Sequence, residues 1–292
     1  MPVHSETPTI AIIGGSGFYQ LFDPTESEQR LVPTPYGSVA VTLGTLAERT
    51  VAFITRHGTD HSVAPHRINY RANLWALASL GVRVIVSSSA VGGLSERFPP
   101  GTLVLTDQLI DRTHGRADTF YDEGVVQHLA AADPFAPALH RLAARALTAA
   151  AVAFEPTATV VVIQGPRFST RAESCWFQAA GAHTINMTMY PEVCLAAELN
   201  IDTVNLSFVT DSDAGVSTDD DSVDPDAASH TLVLDRLVAA QPRILAALTA
   251  IIRALPSSYT PRELIAPEAV SAVLGRAVAG GAAGHVASGA AL

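Results

Sequence analysis

The sequence predicts an α/β fold: a single domain with a mixed, mostly parallel central sheet flanked by helices. Three observations support this prediction. Short β-branched apolar segments alternate with longer segments of helical periodicity, which is typical of doubly wound sheets. The 292 residues are 48% hydrophobic, which is enough for a sizeable core. Neither an internal repeat nor an inter-domain linker interrupts the alternation.

Eight segments have the composition of strands, because each is short, rich in Val, Ile, Leu or Thr, and bounded by glycine or polar residues. In chain order they read TIAIIGG from Thr9, SVAVTLGTL from Ser38, TVAFITRHG from Thr50, RVIVSSSAVGG from Arg83, TLVLTDQLID from Thr102, TVVVIQG from Thr159, HTINM from His183 and TVNLSFVTD from Thr203.

Helical segments separate several of these strands. Residues 69–80 and 138–153 each place their apolar side chains on one helical stripe. Thr170 and Glu173 have the spacing of a capping box at a helix start, and Pro191 suits the first turn of another helix.

The chain divides into an N-terminal extension, residues 1–8, a domain, residues 9–255, and an Ala/Gly-rich C-terminal tail, residues 256–292. The tail lacks the large side chains needed to bury a helix face, so we expect its last fifteen or so residues to be disordered. Within the domain, residues 212–230 are acidic and nearly without core residues. We interpret them as a mobile loop whose position directly after a strand suggests a lid.

Composition excludes several classes of protein. The formal charge of −10 argues against a nucleic-acid or anionic-membrane surface, which would select an excess of Lys and Arg. No run of about eighteen apolar residues appears and the N-terminus lacks a basic start, so we expect a cytoplasmic protein without membrane contact. Cys175 and Cys194 have no Cys or His partner at metal-ligand spacing. We therefore expect two reduced, partly buried thiols and no metal.

The segment VNLSFVTDSD, Val204 to Asp213, ends a buried-type strand with two carboxylates. Asp211 and Asp213 stand at i and i+2, so both leave the strand in the same direction and can face one ligand. A purine with an amino group offers donors on that edge, and its N7 needs a proton if the base is to leave. The structural alternative, an acidic turn that caps the next helix, is the commoner meaning of such a motif taken alone.

Anion-binding groups follow three other strands. Ser16 lies in a Gly-Gly-Ser-Gly turn, Arg56 and His57 end a strand, and Ser89 closes a run of three serines. Arg56 offers bidentate donors to a phosphate, and His57 adds another donor. Each motif has a structural alternative, a glycine-rich turn or an ion pair between Arg56 and a core carboxylate. Because the carboxyl ends of the strands in an open α/β sheet meet at one edge, their convergence favours a phosphate site.

Two further motifs supply apolar contact. Phe168 can stack on a flat base, while Met187 and Thr188 offer an apolar face and a hydroxyl beside a sugar. The alternative for Phe168 and Met187 is ordinary core packing, which is the commoner role of such residues.

The ordered motifs of the chain resemble those of the trimeric purine nucleoside phosphorylase superfamily and, within it, the methylthioadenosine phosphorylases. The matching motifs are GGSGF, TRHGTDH, HRINYRANLWAL, SSAVGGL, DQLIDRT, FYD, GPRFSTRAES, INMTMYPEVCLAAE and VTDSD. The resemblance runs from about Thr9 to Asp213, and the C-terminal third matches only in general character. Serine stands at positions 16 and 89, where the family usually has threonine.

The resemblance implies a role for each matching residue. Phosphate would be held by Ser16, Arg56, His57, Ser89, the amide of Ala90 and Thr188. The nucleoside would contact Phe168, Ser169, Met187, Asp211 and Asp213, with His128 reaching the 5′ pocket of a neighbouring subunit in a homotrimer. The implied reaction is phosphorolysis of a 5′-modified adenosine, above all 5′-deoxy-5′-methylthioadenosine, to adenine and the 5-modified ribose 1-phosphate. Asp211 and Asp213 would be the catalytic residues, phosphate the co-substrate, and no cofactor or metal is implied.

Two alternatives stay open. One is a phosphorylase for another nucleoside: a 5′-halogeno-5′-deoxyadenosine, methylthioinosine or purine nucleosides in general. An acceptor carboxylate at the 6 position suits an amino group and would repel a 6-oxo group, which favours adenine. The other is a non-catalytic nucleoside-binding protein. The presence of both Asp211 and the implied phosphate-binding residues argues against this alternative.

Overall fold

The computed structural model describes residues 7–58, 60–214 and 229–278. Its ten strands are β1 (Ile10–Gly14), β2 (Glu28–Val32), β3 (Val39–Leu46), β4 (Arg49–Thr55), β5 (Val84–Gly93), β6 (Leu103–Thr106), β7 (Gln108–Arg112), β8 (Thr159–Ile163), β9 (Thr184–Asn186) and β10 (Asp202–Ser212). Its helices are α1 (Tyr70–Ser79), α2 (Pro137–Ala149), α3 (Arg171–Ala179), α4 (Met189–Glu198), α5 (His230–Ala254) and α6 (Pro267–Leu274), with a 3₁₀ turn at Pro65–Arg67.

The strands form one mixed sheet in the order β2-β3-β4-β1-β5-β9-β8-β7, with β10 pairing β5 and β6 off this path. Strands β4, β1, β5 and β10 run parallel, as do β7, β8 and β9. The antiparallel pairs are β2–β3, β3–β4, β5–β9 and β6–β10. The predicted single α/β domain is therefore confirmed.

Strand β1 shows why the central strands read as continuous apolar runs. All five of its residues are buried. Ile10 and Ile12 pack in a cluster that includes residues of α2 and α5, whereas Ala11 and Ile13 pack in a second cluster with α1 and α6. Helices cover both faces, so both sets of alternating side chains must be apolar.

Two features of the sheet differ from the sequence prediction. The segment TLVLTDQLID forms two strands, because β6 turns antiparallel to β10 while β7 runs parallel to β8. Asp107 lies at the break, where its Oδ1 accepts a hydrogen bond from the amide of Ala158 (2.9 Å).

Strand β2 was not predicted. It is an edge strand that pairs only with β3 among the described residues, and its charged, alternating sequence carries little strand signal.

The predicted helix starts are confirmed. The Asn69 side chain caps α1 by accepting from the Ala72 amide (3.1 Å). Thr170 and Glu173 form both bonds of the capping box of α3. In α4, Tyr190 has non-helical backbone angles (φ −105°, ψ 133°), so the regular turns begin at Pro191, as expected.

Part of the segment assigned to the Ala/Gly-rich tail, residues 256–292, is folded against the domain as far as Arg276, whose Nη2 donates to the Phe120 carbonyl (2.6 Å). Helix α6 buries Val273, whose carbonyl accepts a hydrogen bond from Nε1 of Trp75 (3.0 Å). Ahead of it, Arg262 pairs with the buried Asp202 (2.8 Å). A few anchoring side chains thus suffice in an Ala-rich sequence. Residues 279–292, on which the expected disorder falls, lie outside the described residues.

The acidic loop predicted at 212–230 is shorter at both ends. Strand β10 continues through Ser212 and α5 begins at His230, with the Ser229 side chain accepting from the Leu232 amide. Residues 215–228, and with them the interpretation as a lid, lie outside the described residues.

Residues 231–254 of α5 form a helical segment that is long and apolar enough to cross a membrane, judged by length and composition alone. Seven of their apolar side chains are buried in the core cluster beside α2 and β10, which accounts for that composition.

The two cysteines differ from the expectation of two partly buried thiols. Both are free, but Cys175 is exposed on α3. Cys194 on α4 is partly buried, and burial raises the pKa of its thiol to about 12.

Candidate active site

A cavity of about 360 Å³ opens at the carboxyl ends of β1, β4, β5 and β10, where the sequence predicts the site. Eleven of the twelve predicted site residues line it: Ser16, Arg56, His57, Ser89, Ala90, Phe168, Ser169, Met187, Thr188, Asp211 and Asp213. The twelfth, His128, is exposed in the segment between β7 and α2 and does not line the cavity of its own chain.

Arg56 is held by a buried carboxylate that the sequence reasoning did not single out. Its Nε and Nη2 donate to the two oxygens of Glu192 (2.6 and 2.7 Å), and Nη1 donates to the Ser88 carbonyl (3.0 Å). Burial would lower the pKa of Arg56, but Glu192 outweighs it and the pKa is raised. The ion-pair alternative for Arg56 is therefore real. These three bonds use three of the five N–H groups, and the guanidinium still lines the cavity.

His57 lies beside Arg56 with its ring nitrogens in defined roles. Its Nδ1 is 2.9 Å from the Val63 carbonyl, which can only accept, so Nδ1 carries the hydrogen. Burial, with Arg56 adding, lowers the pKa of His57 to about 4. The neutral ring then offers Nε2 as an acceptor, so His57 suits a protonated phosphate oxygen rather than adding the expected donor.

The glycine-rich turn after β1 has a steric reason. A Cβ at Gly15 would lie 2.8 Å from the Ser88 carbonyl oxygen and 3.0 Å from Nη1 of Arg56. Only glycine lets this turn approach the end of β5 so closely. The turn thereby brings Ser16 into the lining of the cavity beside Arg56.

Asn186, which sequence reasoning did not single out, ties two predicted phosphate ligands together. Its Oδ1 accepts from the amides of Thr188 (2.6 Å) and Met189 (2.8 Å), while Nδ2 donates to the Ala90 carbonyl (3.1 Å). The start of α4 is thus fixed against the end of β5.

Asp211 is buried at the end of β10, where it accepts a hydrogen bond from Oγ1 of Thr210 (2.6 Å). Burial, and to a smaller extent Asp213, raises the pKa of Asp211 to about 6. A bulge interrupts the β10–β5 register between Val209 and Asp211. A Cβ at the neighbouring Gly92 would lie 3.0 Å from Oδ1 of Asp211 and 2.9 Å from Ile185, so glycine makes room for the carboxylate.

Asp213 is buried but surrounded by donors. The Ser169 hydroxyl lies 2.8 and 2.7 Å from its two oxygens, and the Ser174 hydroxyl donates to Oδ2. Burial raises the pKa of Asp213, while these hydroxyls oppose the rise by stabilising the ionised form. Ser174 lies on α3, one residue beyond the capping box that fixes the start of this helix.

A further unpredicted residue, Arg116, joins the loops around the cavity. It donates to the carbonyls of Met187 (2.9 Å) and Gln164 (3.1 Å), and also to the carbonyl of Tyr190. These carbonyls lie after β9, after β8 and at the start of α4. The motif DRTHGR carries no local signal for this role, because the partners come from distant segments.

Phe168 is not a core residue, whereas Met187 packs against a core cluster that includes Ile163 and Ile185. Phe168 is 41% exposed, and both side chains line the cavity. The cavity lining therefore combines donors suited to an anion, on Arg56, Ser89 and Thr188 (the anion-binding half), with the carboxyl groups of Asp211 and Asp213 (the carboxylate half). Apolar surface from Met187, Ile185, Val91 and Phe168 completes the lining. Such a site can hold an anion and an aromatic base at once and deliver a proton to the base.

Comparison with known proteins places this cavity in an established enzyme family. Residues 9–253 match the Phosphorylase superfamily, and the chain belongs to it. Within that superfamily, the S-methyl-5′-thioadenosine phosphorylase of Mycobacterium tuberculosis is 48% identical over 222 residues, 75% of this chain and 81% of the relative. The purine nucleoside phosphorylase of Streptomyces coelicolor is 44% identical over 261 residues, 85% of this chain and 90% of the relative.

Solved structures agree with the sequence relatives. Methylthioadenosine phosphorylase from Schistosoma mansoni in complex with adenine has a TM-score of 0.79 at 28% identity and covers 91% of this chain and 96% of its own. A methylthioadenosine phosphorylase from an antarctic soil metagenomic library has a TM-score of 0.74 at 38% identity, covering 92% and 99%. The family and fold predicted from the sequence are confirmed.

Proposed function

We propose that this protein is a methylthioadenosine phosphorylase. It splits 5′-deoxy-5′-methylthioadenosine with inorganic phosphate into adenine and 5-methylthioribose 1-phosphate. The observation that carries the proposal is that donors suited to an anion, around Arg56, and the carboxyl groups of Asp211 and Asp213 line the same cavity. The named activities of its relatives support the same reaction.

The carboxylate half acts on the leaving base. As the N-glycosidic bond stretches, positive charge grows on the ribosyl ring and negative charge on the purine. Asp211, whose pKa of about 6 leaves part of the population protonated near neutral pH, donates its proton to N7. Asp213, held by two serine hydroxyls, accepts a hydrogen bond from the 6-amino group. The two carboxylates therefore divide the acid and acceptor roles between them.

The anion-binding half positions the nucleophile. Phosphate is held by Ser16, Arg56, His57, Ser89, the Ala90 amide and Thr188, opposite the base and facing C1′. Met187 lies beneath the ribose, and Phe168 and Ser169 border the base. Holding the two reactants in line can supply up to about 7–11 kcal/mol of the barrier. The co-substrate is phosphate, and no step requires a cofactor.

A second candidate function is favoured by one observation. The purine nucleoside phosphorylase of S. coelicolor aligns with more of this chain than the M. tuberculosis relative does. This candidate is a phosphorylase that accepts 6-oxo purine nucleosides or other 5′ groups, including 5′-halogeno-5′-deoxyadenosine and methylthioinosine.

A substrate panel separates the candidates. Methylthioadenosine, adenosine, inosine, methylthioinosine and 5′-chloro-5′-deoxyadenosine are each incubated with and without phosphate, and the free base is measured by chromatography. The proposal expects phosphate-dependent adenine release with methylthioadenosine as the preferred substrate. Equal use of inosine supports the second candidate. Binding without release of base would leave only a nucleoside-binding protein.

The proposal extends to assembly and location. The active form is a cytoplasmic homotrimer in which His128 reaches the 5′ pocket of the neighbouring subunit. In support, His128 follows two exposed valines, Val125 (75% exposed) and Val126 (63% exposed). Neighbouring apolar side chains left open to solvent are typical of a surface that another subunit covers.

A further inference from the structure

A buried polar network crosses strands β5, β10 and β6 next to the anion-binding half of the cavity. Asn205 on β10 is paired in register with Ser87 on β5 and Thr106 on β6, and Ser207 is paired with Ser89. All five are buried, and only Ser89 lines the cavity. Alternation along the strands puts them on the same face of the sheet, so their side chains meet.

The hydrogen bonds of the network have a direction. Nδ2 of Asn205 donates to the hydroxyl oxygens of Ser87 (2.9 Å) and Ser89 (3.0 Å), and the Ser207 hydroxyl donates to Oδ1 (2.7 Å). A hydroxyl has one hydrogen, so Ser207 can only accept in its contact with Thr106 (3.1 Å). Donation therefore runs from Thr106 through Ser207 and Asn205 to Ser89.

If the side-chain amide of Asn205 were turned over, fewer enclosed hydrogen-bond donors would have an acceptor. That orientation would leave one N–H of Asn205 and the hydroxyl hydrogen of Thr106 without an acceptor among the described residues. The orientation present leaves one enclosed donor in that state, the Ser87 hydroxyl, while the Ser89 hydroxyl lines the cavity, where solvent or a bound anion can accept its hydrogen. Because a buried donor without an acceptor is costly, the network favours the direction seen.

We propose that Asn205 is a positioning residue that fixes the Ser89 hydroxyl as a hydrogen-bond donor towards the bound phosphate. An oxygen that already accepts from Asn205 keeps its own hydrogen for the cavity, and an anion accepts that hydrogen. Asn205 does not touch phosphate and acts only through Ser89. This inference rests on the proposed function and deepens its phosphate half.

Asn205→Asp reverses the direction, because a carboxylate has no N–H and accepts from both serine hydroxyls. Turning the Ser89 hydroxyl away raises the KM for phosphate by about 10- to 100-fold, the range for losing a hydrogen bond to a charged group. The KM for methylthioadenosine at saturating phosphate changes by less than about threefold. Ser207→Ala, which adds no charge, removes the donor to Oδ1 and raises the phosphate KM severalfold.

Ser87→Ala is the matched control. It removes the other hydroxyl bonded to Asn205, leaves the bond to Ser89 in place and does not alter the cavity lining. The proposal expects a phosphate KM within about twofold of the wild type. Thermal unfolding of each variant confirms that the protein compared is folded.

A double-mutant cycle with Ser89→Ala separates the effect on the hydroxyl from the repulsion of phosphate by a new charge. If Asn205 acts through Ser89, Asn205→Asp adds little to the phosphate KM once Ser89 is alanine. Additive effects, or an unchanged phosphate KM in Asn205→Asp, overturn the inference. If Asn205→Asp does not fold, the double-mutant cycle is carried out with Ser207→Ala and Ser89→Ala instead.

The proposed function can fail separately. If the wild type releases no adenine from methylthioadenosine in the presence of phosphate, the proposed function is wrong. Phosphate binding to the same variants, measured by calorimetry without nucleoside, still decides the role of Asn205.

Discussion

At the scale of single residues, Asp211 and Asp213 show how similar side chains acquire different roles. Both are buried, and burial raises the pKa of both. Asp211 accepts a hydrogen bond from one hydroxyl, and its pKa is about 6. Asp213 accepts hydrogen bonds from two serine hydroxyls, which stabilise its negative charge. The local donors, and not the position in the motif, distinguish the two carboxyl groups, which agrees with the proposed roles of Asp211 as proton donor and Asp213 as acceptor.

Replacing Asp211 by asparagine should lower kcat for methylthioadenosine by about 10²- to 10⁴-fold, the usual contribution of a general acid. Phosphate binding should change little, because Asp211 is not among the proposed phosphate ligands. Steady-state kinetics and phosphate calorimetry measure the two effects. Turnover at the wild-type rate would remove Asp211 from the acid role.

The same substitution should stabilise the free protein at alkaline pH. The pKa of Asp211 is raised from 3.8 to about 6 on folding, so its contribution to stability is full below pH 3.8 and is lost as pH rises through 6. Above that pH the wild type holds a buried charge at a cost of up to about 3 kcal/mol. We expect Asp211→Asn to melt above the wild type at pH 8, with the gap closing towards pH 4. A gap independent of pH would contradict the raised pKa.

Arg56 pairs with Glu192 and, in the proposed function, also holds phosphate. Arg56→Lys keeps the charge but cannot bond both oxygens of Glu192 and hold phosphate at once. We expect the phosphate KM to rise about 10- to 100-fold with little change in the nucleoside KM. Glu192→Gln, the control, keeps the shape of the pair and should affect phosphate less. If both variants weaken both substrates equally, Arg56 is only a structural partner of Glu192.

Some residues of the candidate site could not be predicted from the sequence. Asp211 and the ligands at strand ends were predicted because each follows a recognisable apolar strand. Glu192 and Ser174 were missed because their roles depend on partners 136 and 39 residues away in the chain. Nothing local in their own segments distinguishes them from solvent-facing helix residues.

At the scale of elements, the sequence predicted best where local chemistry decides the structure. The capping box of α3 and the proline start of α4 need only neighbouring residues, and both were found. Strand β2 and helix α6 were missed because pairing with β3 and packing against Trp75 hold them in place, and neither partner is local. The boundary between β6 and β7 depends on partners in β10 and β8 in the same way.

Arg116 acts between elements, so its loss should affect the nucleoside more than phosphate. Arg116→Met frees the carbonyls of Met187 and Gln164, which lie in the loops that carry Met187 and Phe168, the proposed sugar and base contacts. We expect roughly a tenfold rise in the nucleoside KM, an unchanged phosphate KM and partial rescue by lysine. Arg112→Met is the control, because Arg112 is exposed and stacks on Trp176 at the surface. A fall in thermal stability without any change in KM would make Arg116 purely structural.

At the scale of the whole molecule, the single chain supplies all but one of the predicted ligands of the cavity. The exception, His128, is exposed with Val125 and Val126, which is expected if a neighbouring subunit covers that segment. The oligomeric state therefore decides whether the site is complete in one chain.

His128→Ala should change the ranking of 5′ substituents while leaving phosphate use and choice of base nearly unaltered. The physical reason is that the residue would contact only the 5′ group of the nucleoside bound by its neighbour. Gln127→Ala, one position away, serves as the control. Light scattering on the wild type should give three times the mass of the chain. A fully active monomer, or an unchanged ranking in His128→Ala, would refute a shared site.

The pairing of β5 with β10 has a consequence for synthesis on the ribosome. Strand β5 is complete at Gly93, but its long parallel partner ends only at Ser212. At typical elongation rates of about 5–20 residues per second, the intervening chain takes roughly 6–24 s to emerge. During that time an apolar strand edge has no permanent partner, and such edges invite association with other chains. We therefore expect a fragment that ends before β10 to aggregate rather than to form a weakened enzyme.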